Sequence, residues 1–346
     1  MDSVTSSISR KKMPEGWNPP APAFAADFSA KPGTMVMAYF GTQVRSGGHD
    51  HYRTINGFMK AADAPGNVEY AKSIDRKGIE TIITAAYWPN PEAFEKWEAS
   101  SGFSKWWNDS ARLREPNGYF FEVLKVPTDR FETIFSTQHL KDMIGVARIT
   151  DRVNGPVREH NYWGSMRDRI TKSESDDFVS PYGTTMPHLG AKETANKRIR
   201  VKVPENLAVI RSGQDWIDCR GAELASYDES IRPKLTEGMM FPRDNPDAAG
   251  CCDLRFARET DAAGNEIKRS FGFGYFLTLG HLEHWAESHP THLAIFRNFI
   301  AMLQQYQFKV DLRLWHEVSV LPAGHVFEYI NCHPDTGVLP YFPAIE

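Results

Sequence analysis

Hydrophobic positions along this chain switch between two periods. Tyr52, Ile55, Phe58 and Met59 fall at helical spacing within HDHYRTINGFMKAAD, residues 49–63. Leu312, Leu314, His316, Val318 and Val320 alternate within LRLWHEVSV and share one face of a predicted strand. Other segments extend the pattern. MVMAYFGTQV (35–44) and GIETIITAAYW (78–88) predict strands. PEAFEKWEASSGFSKWWND (91–109) predicts a helix opened by Pro91, and GYFFEVLKVPTDRFETIF (118–135) a strand broken at Pro127. The order strand, helix, strand, helix, strand suits an α+β ferredoxin-like unit over residues 33–150.

Residues 1–32 are polar and Pro/Ala-rich, and predict an extended arm draped over the body or a partner subunit. Residues 151–205 fit no period and predict a connecting segment with short structured pieces. The earlier pattern returns over residues 206–346. LAVIRSGQDW starts as a strand, AELASYDESIRPKL is helical with Pro233 a kink, and residues 251–279 form a hairpin around Ala263, Gly264 and Asn265. A helix, a strand and a Pro-broken segment follow.

The return is an internal repeat. FEKWEAS (94–100) matches LEHWAES (282–288), and FEVLKVPTDRFETI (121–134) matches HEVSVLPAGHVFEYI (316–330), in the same order. This predicts two ferredoxin-like halves packed as a single α+β barrel. The alignment sets His292 opposite Ser104 and His316 opposite Phe121, so the second half carries two histidines that the first lacks.

Composition narrows the class. The 346 residues carry a formal charge of -4, which gives no basic field for nucleic acid. No apolar run approaches the roughly 20 residues of a membrane span. The opening MDSVTSSISRKK has no apolar stretch behind its basic pair, so no secretory signal is expected. Cys219, Cys251, Cys252 and Cys332 form neither C-x-x-C nor C-x-x-C-H, which predicts reduced thiols, a cytoplasmic location and no covalently attached haem.

Five of the twelve histidines lie between Gly280 and Glu317. His292 follows Pro290 in the first turn of a predicted helix, where the helix dipole disfavours an imidazolium and so keeps a lone pair for a metal. A polar residue at a helix start is the plainer explanation. His316 on its apolar strand face is either a core histidine or a proton donor titrating near neutrality. His281 and His284 share a helix face and raise a zinc alternative, but in the wrong order for H-E-x-x-H. Ser212 has no G-x-S-x-G elbow, and GFGYFLTLG is no dinucleotide fingerprint. Arg167, Arg169 and Glu132 carry no motif of their own.

The phrases NYWGSMRDR, LAVIRSGQDW, AESHPTHLAIF, LRLWHEVSV and VFEYINCHP closely resemble the haem-containing aldoxime dehydratases. The resemblance runs from about Val36 to the C-terminus and is densest after Tyr162. It implies a haem b lyase, generally homodimeric, that converts aldoximes to nitriles. Its haem would sit in the C-terminal half. Carried over by matching phrases, His292 is the proximal haem ligand and His316 the distal acid–base histidine. Ser212 is the distal hydroxyl, Arg169 the distal arginine, and Glu132 the assisting carboxylate. The implied chemistry takes R-CH=N-OH to R-C≡N and water, with the oxime nitrogen on ferrous iron. Two other classes fit a haem on such a barrel: a peroxidase-like enzyme, and a non-enzymatic carrier or gas sensor.

Overall fold

A computed structural model describes residues 12–29, 33–45, 51–150 and 152–345. The first part of the predicted arm, residues 1–11, and residues 30–32 lie outside the described residues, as do residues 49–50 of the first predicted helix. The rest of the arm lies against the body. It includes β1 (Ala25–Ala26) and a bridge from Phe24 to Phe135.

The first half begins with β2 (Thr34–Val44) and α1 (His51–Met59). It continues through β3 (Asn67–Ile74) and β4 (Glu80–Trp88) to α2 (Pro91–Ser100) and α3 (Phe103–Asn108). It ends in β5 (Gly118–Pro127) and β6 (Phe131–Phe135). Two features differ from expectation. The single helix over 91–109 is two, because Gly102 adopts φ +82° and turns the chain. And β3 was not expected. Its NVEYAKSI puts Asn67, Glu69 and Ser73 on the inward face, where Glu69 meets Arg211, so the strand lacks the apolar alternation that would have marked it.

The connecting segment holds β7 (Val153–Asn154), α4 (Ser165–Arg169) and β8 (Arg198–Lys202). Strand β8, one of the short structured pieces of this segment, belongs to the main sheet. Next come β9 (Ala208–Asp215), α5 (Gly221–Ser226) and α6 (Arg232–Asp244). Between these two helices Tyr227–Ile231 forms a wide π turn, and Pro233 follows it at the start of α6. After α7 (Pro246–Ala249) the predicted hairpin forms from β10 (Cys251–Thr260) and β11 (Glu266–Phe276). The chain closes with α8 (Leu279–Ser288), α9 (Pro290–Gln305), β12 (Arg313–Val320), β13 (Val326–Ile330) and β14 (Ala344–Ile345).

Twelve strands form one antiparallel sheet in the order β14-β8-β13-β5-β2-β4-β3-β10-β11-β9-β12-β6. The order has twofold character about the β3–β10 junction, with β4, β2, β5 and β13 on one side and β11, β9, β12 and β6 on the other. The halves exchange strands: β6 of the first pairs with β12, and β13 of the second pairs with β5. Connectivity then forces curvature. In a flat sheet, the eight interstrand steps from β5 to β6 would cover about 38 Å. The three residues Thr128–Arg130 that join them reach at most about 14 Å. The sheet therefore bends round until its ends approach.

One apolar cluster fills the inner face, with side chains from both halves such as Tyr39, Tyr87, Phe120, Phe273, Trp315 and Phe327. Set into it is a buried charge network. Arg211 Nη1 lies 2.7 Å from Tyr87 OH, 2.5 Å from Glu69 and 4.0 Å from Glu317. Tyr87 OH and the Val146 amide each donate to Glu317 at 2.9 Å. Burial pushes the Glu317 carboxyl up to about 7, against the pull of Arg211. The folded chain then binds a proton that the unfolded chain releases near 4.5, so this contribution to stability is present at acidic pH and lost as pH rises through about 7. Glu317→Gln should gain stability relative to wild type between pH 5 and 8, by about 2–3 kcal/mol on top of any constant offset. Thermal melts across that range check this; a pH-independent difference refutes it.

Candidate active site

The outer face of the sheet carries the predicted residues in register. Ser212 on β9 stands directly opposite His316 on β12, which stands opposite Ile134 on β6. On the other side Ser212 faces Gly272 of β11, and Gly272 faces Phe256 of β10. Glu132, two residues before Ile134, shares its face by the strand's period of two. Their neighbours Arg211 and Glu317 point inward to the charge network.

Arg169 reaches this row from the end of α4. Its Nε donates to Glu132 Oε2 at 2.7 Å, its Nη1 donates to the Glu159 carbonyl, and its Nη2 lies 2.9 Å from His316 Nε2. His316 Nε2 is also 2.9 Å from Glu132 Oε1. Burial alone would raise the Glu132 carboxyl, but Arg169 and then His316 outweigh it and hold the group below its ordinary value. It is ionised at neutral pH.

The two neighbours of His316 Nε2 ask for opposite protonation states. An unprotonated Nε2 accepts from Arg169 and has no proton for Glu132 Oε1. A protonated ring forms an ion pair with Glu132 Oε1 at 2.9 Å and leaves the Arg169 N–H without that acceptor. Each state serves one buried partner at the expense of the other. A histidine so placed can both give and take a proton.

His292 approaches from the helical layer over the same face. The His289 ring caps α9, Pro290 follows as its first residue, and His292 lies in the first turn. His292 Nδ1 is 2.7 Å from the Ala286 carbonyl. A carbonyl only accepts, so Nδ1 carries the proton and Nε2 keeps its lone pair. Burial lowers the ring's pKa and reinforces the neutral form. Nε2 has no hydrogen-bond partner among the described residues. A backbone carbonyl fixing the tautomer in this way is the usual support of a metal-bound imidazole. The ring rests against Trp285 at 4.7 Å between centroids, with Trp163 at 6.2 Å.

Both histidines border one apolar cluster. Trp285 and Ala286 beside His292 belong to it, and so do Val318 and Ile210 beside His316 and Ser212. Met166, Ile210, Met240, Phe241, Phe256 and Ile295 pack on this cluster yet remain partly exposed. Half-covered apolar side chains facing a neutral imidazole are the donor set and surroundings that suit a haem. The zinc alternative finds no support: His281 is tied to Thr278 and Thr184, and no group of three His, Cys, Asp or Glu suited to a metal occurs among the described residues.

The first half provides a contrast at the same register. Phe40 of β2 stands opposite Phe121 of β5, where Ser212 and His316 stand in the second half. Phe40 and Phe121 stack at 4.9 Å under Trp97 and Phe103 of α2 and α3. One half closes its helix–sheet layer with aromatic rings; the other leaves it polar and partly open.

The sequence matches the haem-containing dehydratase family over residues 38–338. The chain belongs to that family. Among its relatives is phenylacetaldoxime dehydratase of Bacillus sp. (strain OxB-1), 37% identical over 97% of this chain and 96% of that protein. Aliphatic aldoxime dehydratase of Rhodococcus globerulus is 36% identical over 95% of this chain and 93% of its own length. A crystal structure of an aldoxime dehydratase in complex with butyraldoxime superimposes with a TM-score of 0.87 at 34% identity, covering 97% of this chain and 93% of that one.

In this haem-containing dehydratase the fold brings Arg169, Glu132, Ser212 and His316 together, and sets His292 on the helix layer above the same sheet face. Sequence reasoning missed the supports: the Glu159 carbonyl on Arg169, Trp163 beside His292, and Asp168. A carbonyl has no residue signature. Asp168 was in view within the RDR phrase, but its partners lie far away in the chain.

Proposed function

We propose that this protein is a haem b-dependent aldoxime dehydratase that converts R-CH=N-OH to R-C≡N and water. The observation that carries this is the His316 ring poised between Arg169 and Glu132, in line with Ser212 and on the same sheet face that α9 covers with His292. His292 would hold the haem through its free Nε2, and the iron would supply the electron density that weakens the oxime N–O bond. The other steps fall to side chains. Ser212 and Arg169 donate hydrogen bonds to the oxime oxygen and orient it. His316, protonated and held by Glu132, delivers its proton to the departing hydroxyl, which leaves as water. The neutral ring then takes the C–H proton, so no net proton is consumed. The half-covered apolar side chains exclude water and suit an alkyl or aryl substituent.

In this reading residues 33–150 and 206–346 are two ferredoxin-like halves of a single α+β barrel, with haem in the second half, residues 1–32 as an arm and 151–205 as the connection. The twofold strand order and the forced curvature of the sheet support it. The exchange of β6 and β13 makes the halves interdependent. The protein works as a homodimer in the cytoplasm. Its four cysteines are free and buried, and no described helix is long and apolar enough to cross a membrane.

The test is an absorption spectrum of the anaerobically reduced, haem-loaded protein before and after phenylacetaldoxime, with the nitrile assayed alongside. A shifted Soret band and phenylacetonitrile are expected; neither a shift nor nitrile would overturn the reading. Ser212→Ala should keep the Soret band and lower turnover about 10²-fold, the usual cost of one donor to a developing oxyanion.

A further inference from the structure

The N-terminal arm meets the body at the Asp168 carboxylate and at the loops beside Arg169. The Lys12 amide lies 2.9 and 2.8 Å from the two oxygens of Asp168, and the Met13 amide donates to Asp168 Oδ2 at 3.0 Å. Tyr162 OH adds a third donor to that oxygen at 2.7 Å. Trp17 Nε1 donates to the His160 carbonyl at 3.0 Å, Arg158 returns a bond to the Trp17 carbonyl at 2.7 Å, and the Trp17 ring meets Tyr162 edge-on at 5.7 Å. Gly164 allows the approach. It has φ +92°, and a Cβ there would lie 2.6 Å from Lys12 Cγ. Further along, the arm covers the open edge of β6, with Phe24 bridged to Phe135 and the Ala26 amide on Thr133 Oγ1 at 2.8 Å.

These contacts bracket Arg169. Asp168 is its immediate neighbour, the Glu159 carbonyl that holds its Nη1 precedes His160, and β6 carries its partner Glu132. We propose that Asp168 is a positioning residue that staples the N-terminal arm to α4 and so sets the aim of Arg169 at His316 and at substrate. The proposal rests on Arg169 acting in the reaction. Asp168 takes no part in the chemistry: its carboxylate is occupied by Lys12, Met13 and Tyr162 and acts only through the next residue.

The test is a double-mutant cycle in the haem-loaded full chain, using Asp168→Ala, Arg169→Ala and the pair. A variant lacking residues 1–17 removes the same donors from the other side. Asp168→Ala and the deletion should each lower kcat about 10- to 100-fold, as a displacement of about 1 Å in a reacting group does. KM and the Soret band should stay near wild type. Added to Arg169→Ala, either change should cost nothing more, because a residue that acts only through Arg169 has nothing left to position. Asp168→Asn, which keeps one accepting oxygen, should recover part of the loss and serves where the alanine variant does not fold. In haem-free protein, hydrogen exchange at the Lys12 and Met13 amides should accelerate at least about 10-fold in Asp168→Ala. Full additivity with Arg169→Ala, or wild-type kcat in both Asp168→Ala and the deletion, would overturn the staple. An Arg169→Ala variant with wild-type turnover would instead remove the reading of Arg169 on which it stands.

Discussion

His292→Ala should purify without a Soret band. The Nδ1 hydrogen bond to Ala286 spends that nitrogen on the protein and leaves Nε2 as the one electron pair the ring can offer a metal. The neighbouring histidines are set differently. His289 uses Nδ1 on Thr291 and stacks its ring on Phe241, and His284 lies on α8 beside Ser288. The chain itself should still fold, because His292 is only partly buried and its removal leaves no buried charge without a partner. Circular dichroism and melting close to wild type, together with absent Soret absorption, are the expected result. His292→Gly with added imidazole should regain part of the band. A full Soret band in His292→Ala would show that the iron is held elsewhere.

His316→Ala should give the opposite dissociation: haem retained, turnover lost. General acid–base catalysis by one positioned group is worth about 10²–10⁴-fold, and His316 serves both proton steps, so the loss should fall near the upper end. The change is mild for the fold. Arg169 Nε and Glu132 Oε2 remain paired at 2.7 Å after the ring is removed, so no buried ion is stranded. Haem content per chain, single-turnover rate in reduced protein, and melting temperature together decide the outcome. Turnover within about 10-fold of wild type would move the proton transfers to another group.

Much of the fold was legible where the interior is apolar. Residues 35–44, 78–88 and 207–216 expected as strands form β2, β4 and β9, and Pro290 begins α9. Pattern failed where burial is polar. Strand β3 sends Glu69 to Arg211 instead of an aliphatic side chain to a core, and β8 is a five-residue strand one place in from the sheet's edge, with Arg198, Arg200 and Lys202 on one face. The candidate site divides in the same way. Ser212 and His316 lie on strands whose faces could be assigned in advance, while Arg169 lay in a segment with no period at all.

The amino-acid order by itself determined local states. Pro290 two residues ahead of His292 sets that ring in the first turn of a helix, and alternation sets His316 on one strand face with Val318 and Val320. Only the tertiary structure decided that His316 meets Arg169 across 147 residues, and that its Nε2 stands 2.9 Å from a donor and 2.9 Å from an acceptor. The reason is topological. Glu132 reaches His316 because the first half sends β6 across to β12, an exchange of strands between halves that no short-range preference encodes.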